Sequence, residues 1–457
     1  MHTLTATFVI LAVLLPARAA YSDASTTPSE MSAKAKSLVD EIVQADQFSG
    51  TVLVAQNGVP VFRQAFGLAN REWEIPNVPE AKFRIGSITK EFTATAILQL
   101  AEAGQLSIDD PISKYYTDAP VTWKDITLRH LLTHTSGIPS YTSLPHFFDE
   151  DAKIDRTPDE IIQLTRDKPL EFEPGTKFSY DNSGYIILGY IIEKVSGERY
   201  ADYIQHHIFQ PLGMKSSGYD FTEAIIPQRA SGYRWEKTKF VNADYLSMLI
   251  PFSAGSLYST VDDLLIWDQA IYAGKLLNAA SFKAMFTDYG HGYGFGWFVN
   301  MQFGHNLISH SGGINGFVSM FQRFPDDKLT VIVLSNENNA PVGRIADGLA
   351  ALYLGVPPRS AVPGGEKIVR DQIDQLRQGT VKYDQLSADL ADMTRKQLPA
   401  LQKRINDLGQ VVSVSLIAAD PLGADRYKVT FNNGVVEWLI AIGQDGKIIG
   451  LGIHPLP

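Results

Sequence analysis

Residues 50–66 read GTVLVAQNGVPVFRQAF. Gly50–Ala55 and Val59–Phe66 are β-rich runs, and Asn57-Gly58 between them accepts the positive φ angles of a tight hairpin turn. Beyond this hairpin the pattern becomes helical. Ser87 opens a helical stretch to about Ala103, with Gly104 as its stop. Thr157-Pro158-Asp159-Glu160 is a capping box with proline in the first turn, so another helix begins there. A densely apolar helix runs from about Gly184 to Val195 and ends at Gly197, and Ser259-Thr260-Val261-Asp262 caps a helix containing Trp267. Strand text returns at Phe317–Arg323 and Leu329–Asn336, joined by Phe324-Pro325-Asp326-Asp327. Strands thus open and close the region while helices fill its middle. This order predicts an α+β fold: an antiparallel sheet built from both chain ends and flanked by helices, beside an all-helical lobe, with a substrate crevice between them.

Further out, Val356–Glu366 (VPPRSAVPGGE) carries three prolines and two glycines and reads as a linker. It separates residues 30–355 from a small α+β domain over 367–457. There, helical text from about Lys367 to Leu408 precedes three or four strands with turns at Asn433-Gly434 and Asp445-Gly446. At the other end, the apolar run Phe8–Leu15, Pro16 and Ala17-Arg18-Ala19 match a signal peptide over residues 1–20. The expected location is therefore periplasmic or secreted. That run is too short to span a bilayer, and no other stretch reaches the ~18 apolar residues a span needs, so no stable membrane span is predicted.

The 457 residues hold 40 Lys+Arg against 50 Asp+Glu, a net charge of −10. Such a surface repels phosphates, and nucleic acid is not expected as a partner. The chain has no cysteine, which removes disulfides, thiolate metal sites and cysteine nucleophiles together.

Three short motifs carry chemistry. In Gly86-Ser87-Ile88-Thr89-Lys90, residues three apart share a helix face, so the Lys90 amine can reach the Ser87 hydroxyl. Burial and the positive end of the helix lower an amine pKa, and a neutral lysine can take the serine proton. Taken alone, Ser-x-x-Lys recurs by chance in a chain of this size. In Ser179-Tyr180-Asp181-Asn182, tyrosine and asparagine two apart in extended chain point the same way. A phenol there can move a proton to a leaving group and an amide can hold a substrate or the lysine. The plainer account is a half-buried tyrosine ahead of a helix capped by Asn182 or Ser183. In Ser309-His310-Ser311-Gly312-Gly313, a glycine-rich strand edge lets backbone N–H groups face a developing oxyanion, or is simply a turn.

In order, spacing and setting, the three motifs together resemble the penicillin-recognising serine hydrolases. The likeness is to the branch of class C β-lactamases, D-Ala-D-Ala carboxypeptidases, D-aminopeptidases and β-lactamase-like esterases. Ile126–Pro139 (ITLRHLLTHTSGIP), Ile208–Met214 (IFQPLGM) and Gly312–Phe317 (GGINGF) add to it, and it covers roughly residues 30–355. The resemblance implies Ser87 as the acylated nucleophile, Lys90 as its base partner, and Tyr180 as the proton shuttle. It implies Asn182, His310, Ser311 and Gly312 as substrate-binding residues, and the backbone N–H groups of Ser87 and Gly313 as the oxyanion hole. It further implies an acyl-enzyme route with no cofactor and no metal. The substrate would be a small-molecule or peptide amide or ester, a cell-wall peptide included. Class C β-lactamases carry Lys where this chain has His310. A histidine is mostly neutral at pH 7, so peptide or ester hydrolysis ranks above β-lactam hydrolysis. A penicillin-binding sensor that is acylated and stops is the alternative from another class.

Other candidates are weaker. His130 and His134 are four apart on an expected helix, but no acidic partner completes a zinc motif. His206-His207 is expected to face opposite sides of a helix. Tyr293-Gly294-Phe295-Gly296-Trp297 reads as core before it reads as a cleft lining. No Gly-x-Ser-x-Gly elbow, P-loop or dinucleotide fingerprint occurs.

Overall fold

The computed structural model describes residues 27–44, 48–236, 239–419, 423–443 and 445–455. The leader expected at residues 1–20 lies outside them. The central sheet contains β1 (Gly50–Gln56), β2 (Val59–Phe66), β3 (Phe298–Gln302), β4 (His305–Ile314), β5 (Phe317–Phe324) and β6 (Leu329–Ser335). Its spatial order is β3-β4-β5-β6-β1-β2, antiparallel throughout. The turn between β1 and β2 has φ of 52° at Asn57 and 76° at Gly58, the geometry for which the Asn-Gly pair is suited. β6 lies against β1 from Gly50↔Ser335 to Gln56↔Leu329, so the two ends of the region meet in one sheet.

Both faces of this sheet are covered, and the alternation of side chains along a strand decides which residue goes where. Val52, Val54, Val331 and Val333 pack with Ala35 and Val39 of α1 (Pro28–Gln44) and with Ile345 and Leu349 of α7 (Val342–Tyr353). Their neighbours Leu53, Ile332 and Leu334 point the other way, into the large core shared with α2 (Thr89–Glu102), α5 (Ser183–Ser196) and α6 (Val261–Tyr272). The helical lobe adds α3 (Leu128–Leu132) and α4 (Pro158–Arg166). In α4, Thr157 and Glu160 form the reciprocal capping box that the sequence announces, with Pro158 in the first turn. Across the second face, Arg323 of β5 is paired with the fully buried Asp268 of α6, whose other oxygen accepts from Thr330 Oγ1 at 2.7 Å.

Three local expectations change. The cap of α6 is Thr260, which accepts from the Asp263 N–H at 3.2 Å; Ser259 belongs to the short strand Leu257–Ser259, where its hydroxyl meets that of Ser217 at 2.8 Å. His206 and His207 do not diverge. The turn there is a π-helical one (Gln205–Phe209), and both rings reach the Glu198 carboxylate, at 3.0 and 2.7 Å. The segment 356–366 is not a free tether: Val362 N–H donates to Asp425 at 2.6 Å, Arg359 pairs with the same carboxylate, and Gly365 already begins a helix.

Beyond it come α8 (Gly365–Gln378) and α9 (Ala388–Leu408), two helices over the tract that reads as helical. A four-stranded antiparallel meander follows: β7 (Val411–Ala419), β8 (Ala424–Phe431), β9 (Gly434–Ile442) and β10 (Ile448–Pro455). Val369, Ile373, Tyr427, Val429, Trp438 and Ile440 form a separate apolar core for these elements. Among the described residues, no helix is long and apolar enough to cross a membrane.

Candidate active site

The short strand Phe83–Arg84 pairs with Leu257–Ser259, and the chain then turns sharply at Gly86, where φ is +53°. A single 3₁₀ turn, Gly86–Ile88, precedes the regular helix α2, which starts at Thr89 rather than at Ser87. The Ser87 N–H thus belongs to a helix start, whose first N–H groups have no partner within the helix. Strand β4 approaches this turn backbone to backbone. A side chain on Gly312 would place its Cβ 1.9 Å from the Ile85 carbonyl oxygen, and one on Gly86 would fall 2.8 Å from the Gly313 nitrogen. Ser319 clamps the same spot by donating to the Ile85 carbonyl at 2.9 Å. Glycine at positions 86 and 312 is therefore what brings the Gly313 strand edge beside Ser87.

Lys90 is fully buried, and its Nζ lies 3.0 Å from Ser87 Oγ, 2.8 Å from Asn182 Oδ1 and 2.9 Å from the Ala254 carbonyl oxygen. Burial lowers its pKa from 10.5 to about 7, against a smaller opposing pull from the Asp181 carboxylate. A neutral amine has two hydrogens and one lone pair. The Asn182 and Ala254 oxygens can only accept, so they take the two hydrogens. The lone pair is left for the Ser87 hydroxyl, the one neighbour able to donate.

Asn182 is held from its other end. Its Nδ2 donates to Thr142 Oγ1 at 3.1 Å and its backbone N–H to Ser140 Oγ at 3.0 Å. It is not the side-chain cap of α5; that role falls to Asp181, whose carboxylate accepts from the Gly184 N–H. Ser183 is also engaged elsewhere, donating to the Pro139 carbonyl at 2.7 Å. The Tyr180 ring centroid lies 4.9 Å from Lys90 Nζ and 4.3 Å from the His134 ring. Its hydroxyl is buried and faces Ser87 without reaching hydrogen-bond geometry to any group. Burial pushes its pKa far above the ordinary phenol value, so it is a neutral phenol at all physiological pH.

The third motif divides in two. Ser311 and Gly313 are on the exposed side of β4, whereas His310 and Gly312 are buried. His310 is 1% exposed, its Nδ1 is 2.6 Å from the Ser311 carbonyl oxygen and its Nε2 is 3.0 Å from the Tyr293 hydroxyl. A carbonyl only accepts, so Nδ1 carries the hydrogen and Nε2 accepts from Tyr293. Burial lowers the His310 pKa to about 3, and the ring is neutral. The expectation of direct substrate contact is revised for His310 and Gly312: the first packs behind Tyr180, the second shapes the backbone approach. Tyr293, Phe295 and Trp297 are core, as their alternation indicates.

Ser87, Asn182 and Gly313 open into a cavity of about 190 Å³ with an apolar wall that includes Tyr141, Phe147 and Ile250. Two contributors escaped the sequence, and a third, Tyr293, reads there as core before cleft lining. The Ala254 carbonyl has no side-chain signal. Thr142 and Tyr293 act one step behind a motif residue, and only the fold brings them there. His130 and His134 do not converge: His130 Nδ1 accepts from the Thr127 N–H at 3.2 Å, and His134 Nδ1 from the Asp181 N–H at 3.2 Å.

The sequence pattern of the Beta-lactamase family matches residues 35–355. The chain is 37% identical over 301 residues to the putative penicillin-binding protein PbpX of Bacillus subtilis, spanning 65% of this chain and 73% of that protein. An octameric penicillin-binding protein homologue from Pyrococcus abyssi superposes with a TM-score of 0.65 at 28% identity, over 93% of this chain and 90% of the other. A D-stereospecific amidohydrolase from Streptomyces sp. superposes with a TM-score of 0.60 at 25% identity, over 71% of this chain and 99% of the other.

Proposed function

The chain belongs to the Beta-lactamase family and is a serine hydrolase of that fold; from this premise we propose that it cleaves an amide or ester bond through an acyl-enzyme on Ser87. The observation that carries the proposal is the arrangement around Lys90. A buried amine with a pKa of about 7 lies 3.0 Å from Ser87 Oγ, and in its neutral form, with its two hydrogens on Asn182 Oδ1 and the Ala254 carbonyl, the lone pair is left for that hydroxyl.

In the proposed cycle, Lys90 takes the Ser87 proton as the oxygen attacks the substrate carbonyl. Negative charge develops on the carbonyl oxygen, stabilised by the N–H groups of Ser87 and Gly313. Tyr180, a neutral phenol at rest, delivers its proton to the leaving group as it takes the Ser87 proton over from Lys90. Water then takes the place of the leaving group and the same steps run in reverse. Asn182 orients Lys90 and borders the substrate cavity.

Peptide or ester substrates fit better than β-lactams, because His310 is neutral and buried and offers no fixed charge to a β-lactam carboxylate. Export, carried by the apolar leader, is part of the same proposal. The test is turnover by the purified chain against a p-nitrophenyl ester, D-amino-acid amides and nitrocefin. Hydrolysis of the ester or an amide that disappears in Ser87→Ala supports the proposal. An initial burst of one product equivalent without turnover favours a sensor, and turnover retained in Ser87→Ala contradicts it.

A further inference from the structure

The Tyr180 phenol has to face Ser87, yet nothing polar holds it there. Its hydroxyl makes no hydrogen bond among the described residues. Its aim is therefore set by the rings packed around it and by the backbone that carries it. Four rings surround it: His134 at 4.3 Å between centroids, His310 at 6.1 Å, Tyr293 at 6.4 Å and Phe298 at 6.5 Å. The nearest of these four, His134, also grips the chain on both sides of the tyrosine. The Ser179 N–H donates to the His134 carbonyl oxygen at 3.0 Å, and the Asp181 N–H donates to His134 Nδ1 at 3.2 Å. One residue thus holds position 179, faces the ring of 180 and holds position 181.

Histidine is a costly choice for this place. Its φ is +55°, in the left-handed region where a side chain is strained, and such strain gathers at functional sites. Because Nδ1 accepts an amide hydrogen, the hydrogen of the neutral ring is on Nε2. Nε2 is buried and has no hydrogen-bond partner among the described residues. A buried donor left unpaired is destabilising. A phenyl ring would avoid that second cost and still pack, but it offers no acceptor to the Asp181 N–H. Burial lowers the His134 pKa, so the ring is neutral and Nδ1 is free to accept.

We propose that His134 is the positioning residue of Tyr180: its backbone and imidazole bracket residues 179–181 and hold the phenol in line with Ser87. This rests on the Ser87 reading above and extends it to a residue that does not line the substrate cavity. Asn182, the next functional residue along, is pinned separately by Ser140 and Thr142. The effect of His134 is therefore on the phenol rather than on the partner of Lys90.

The experiment measures kcat and KM on a p-nitrophenyl ester, using the full chain with His134→Phe, His134→Asn, Tyr180→Phe, and Tyr180→Phe combined with His134→Phe. Phenylalanine keeps a ring but cannot accept a hydrogen bond. Asparagine places Oδ1 as many bonds from the backbone as Nδ1 and tolerates the positive φ. His134→Phe should lower kcat toward the level of Tyr180→Phe, by up to about 10²-fold, the scale of loss when a reacting group is misplaced by about 1 Å. KM should barely change, since neither residue lines the cavity. His134→Asn should recover most of the lost kcat. Residues acting as one unit are not additive, so His134→Phe should cost almost nothing further once Tyr180→Phe is present. If His134→Phe does not fold, His134→Gly replaces it, because glycine accepts the φ and lacks the acceptor. A loss that multiplies in full onto Tyr180→Phe, or asparagine no better than the variant without an acceptor, would overturn the inference and leave the Ser87 reading standing. Undiminished kcat in Tyr180→Phe alone would count against the role of Tyr180 in that reading, and so against both.

Discussion

Lys90 Nζ lies 2.8 Å from Asn182 Oδ1, a hydrogen bond that joins the helix behind the nucleophile to the head of a helix 92 positions further along the chain. Together with the Ala254 carbonyl it fixes where the hydrogens of Lys90 go, and hence where its lone pair points. The reactivity proposed for Ser87 is in this sense a property of three distant segments.

The first prediction concerns pH. Lys90 accepts a proton only when neutral, and its pKa is about 7. As pH falls below 7 the protonated fraction rises, so kcat/KM should drop about tenfold per unit on the acid side and level off above pH 8. Asp181 pulls this pKa upward, so Asp181→Asn should move the acid limb to lower pH. A rate profile flat from pH 5 to 8 would contradict the assignment.

Lys90→Ala should lower kcat by roughly 10²–10⁴-fold, the usual worth of base assistance. Steady-state kinetics on a p-nitrophenyl ester checks this.

Tyr180→Phe separates chemistry from structure. The hydroxyl has no hydrogen-bond partner, so its removal should leave stability within about 0.5 kcal/mol while kcat falls by about 10²-fold or more. Thermal unfolding beside kinetics tests both parts; a large loss of stability would mean the hydroxyl is structural.

Gly312→Ala would drive a methyl group into the Ile85 carbonyl, 1.9 Å away, and push β4 from the Ser87 turn. Displacing the oxyanion donor by about 1 Å is worth on the order of 10²-fold in rate. Activity should collapse, whereas Gly304→Ala, at positive φ but with nothing within 4 Å of its Cβ, should leave kcat unchanged.

Asp268→Ala should cost about 3–5 kcal/mol in urea unfolding, because it leaves Arg323 charged and unpaired in the core. The double change Asp268→Leu with Arg323→Met should cost less, since no unpaired charge remains buried.

Much of this architecture is legible from residue order. The Asn57-Gly58 turn, the Thr157–Glu160 capping box and Gly197 beyond α5 are local signals, and local signals survive folding. So do Ser87 and Lys90, one helical turn apart. What escaped is of another kind. The cap of α6 moved by one residue because Ser259 was claimed by a strand. The two adjacent histidines met one carboxylate because a π turn altered the period. The inward direction of His310 depends on which face of β4 meets the core, and the Ala254 carbonyl has no sequence signature. These features are set by distant packing.

The most direct test is peptide mapping by mass spectrometry of the chain quenched during turnover of a p-nitrophenyl ester. The account predicts the acyl mass on the peptide containing Ser87, and no adduct and no turnover in Ser87→Ala. An adduct on another residue, or undiminished hydrolysis by Ser87→Ala, would contradict it.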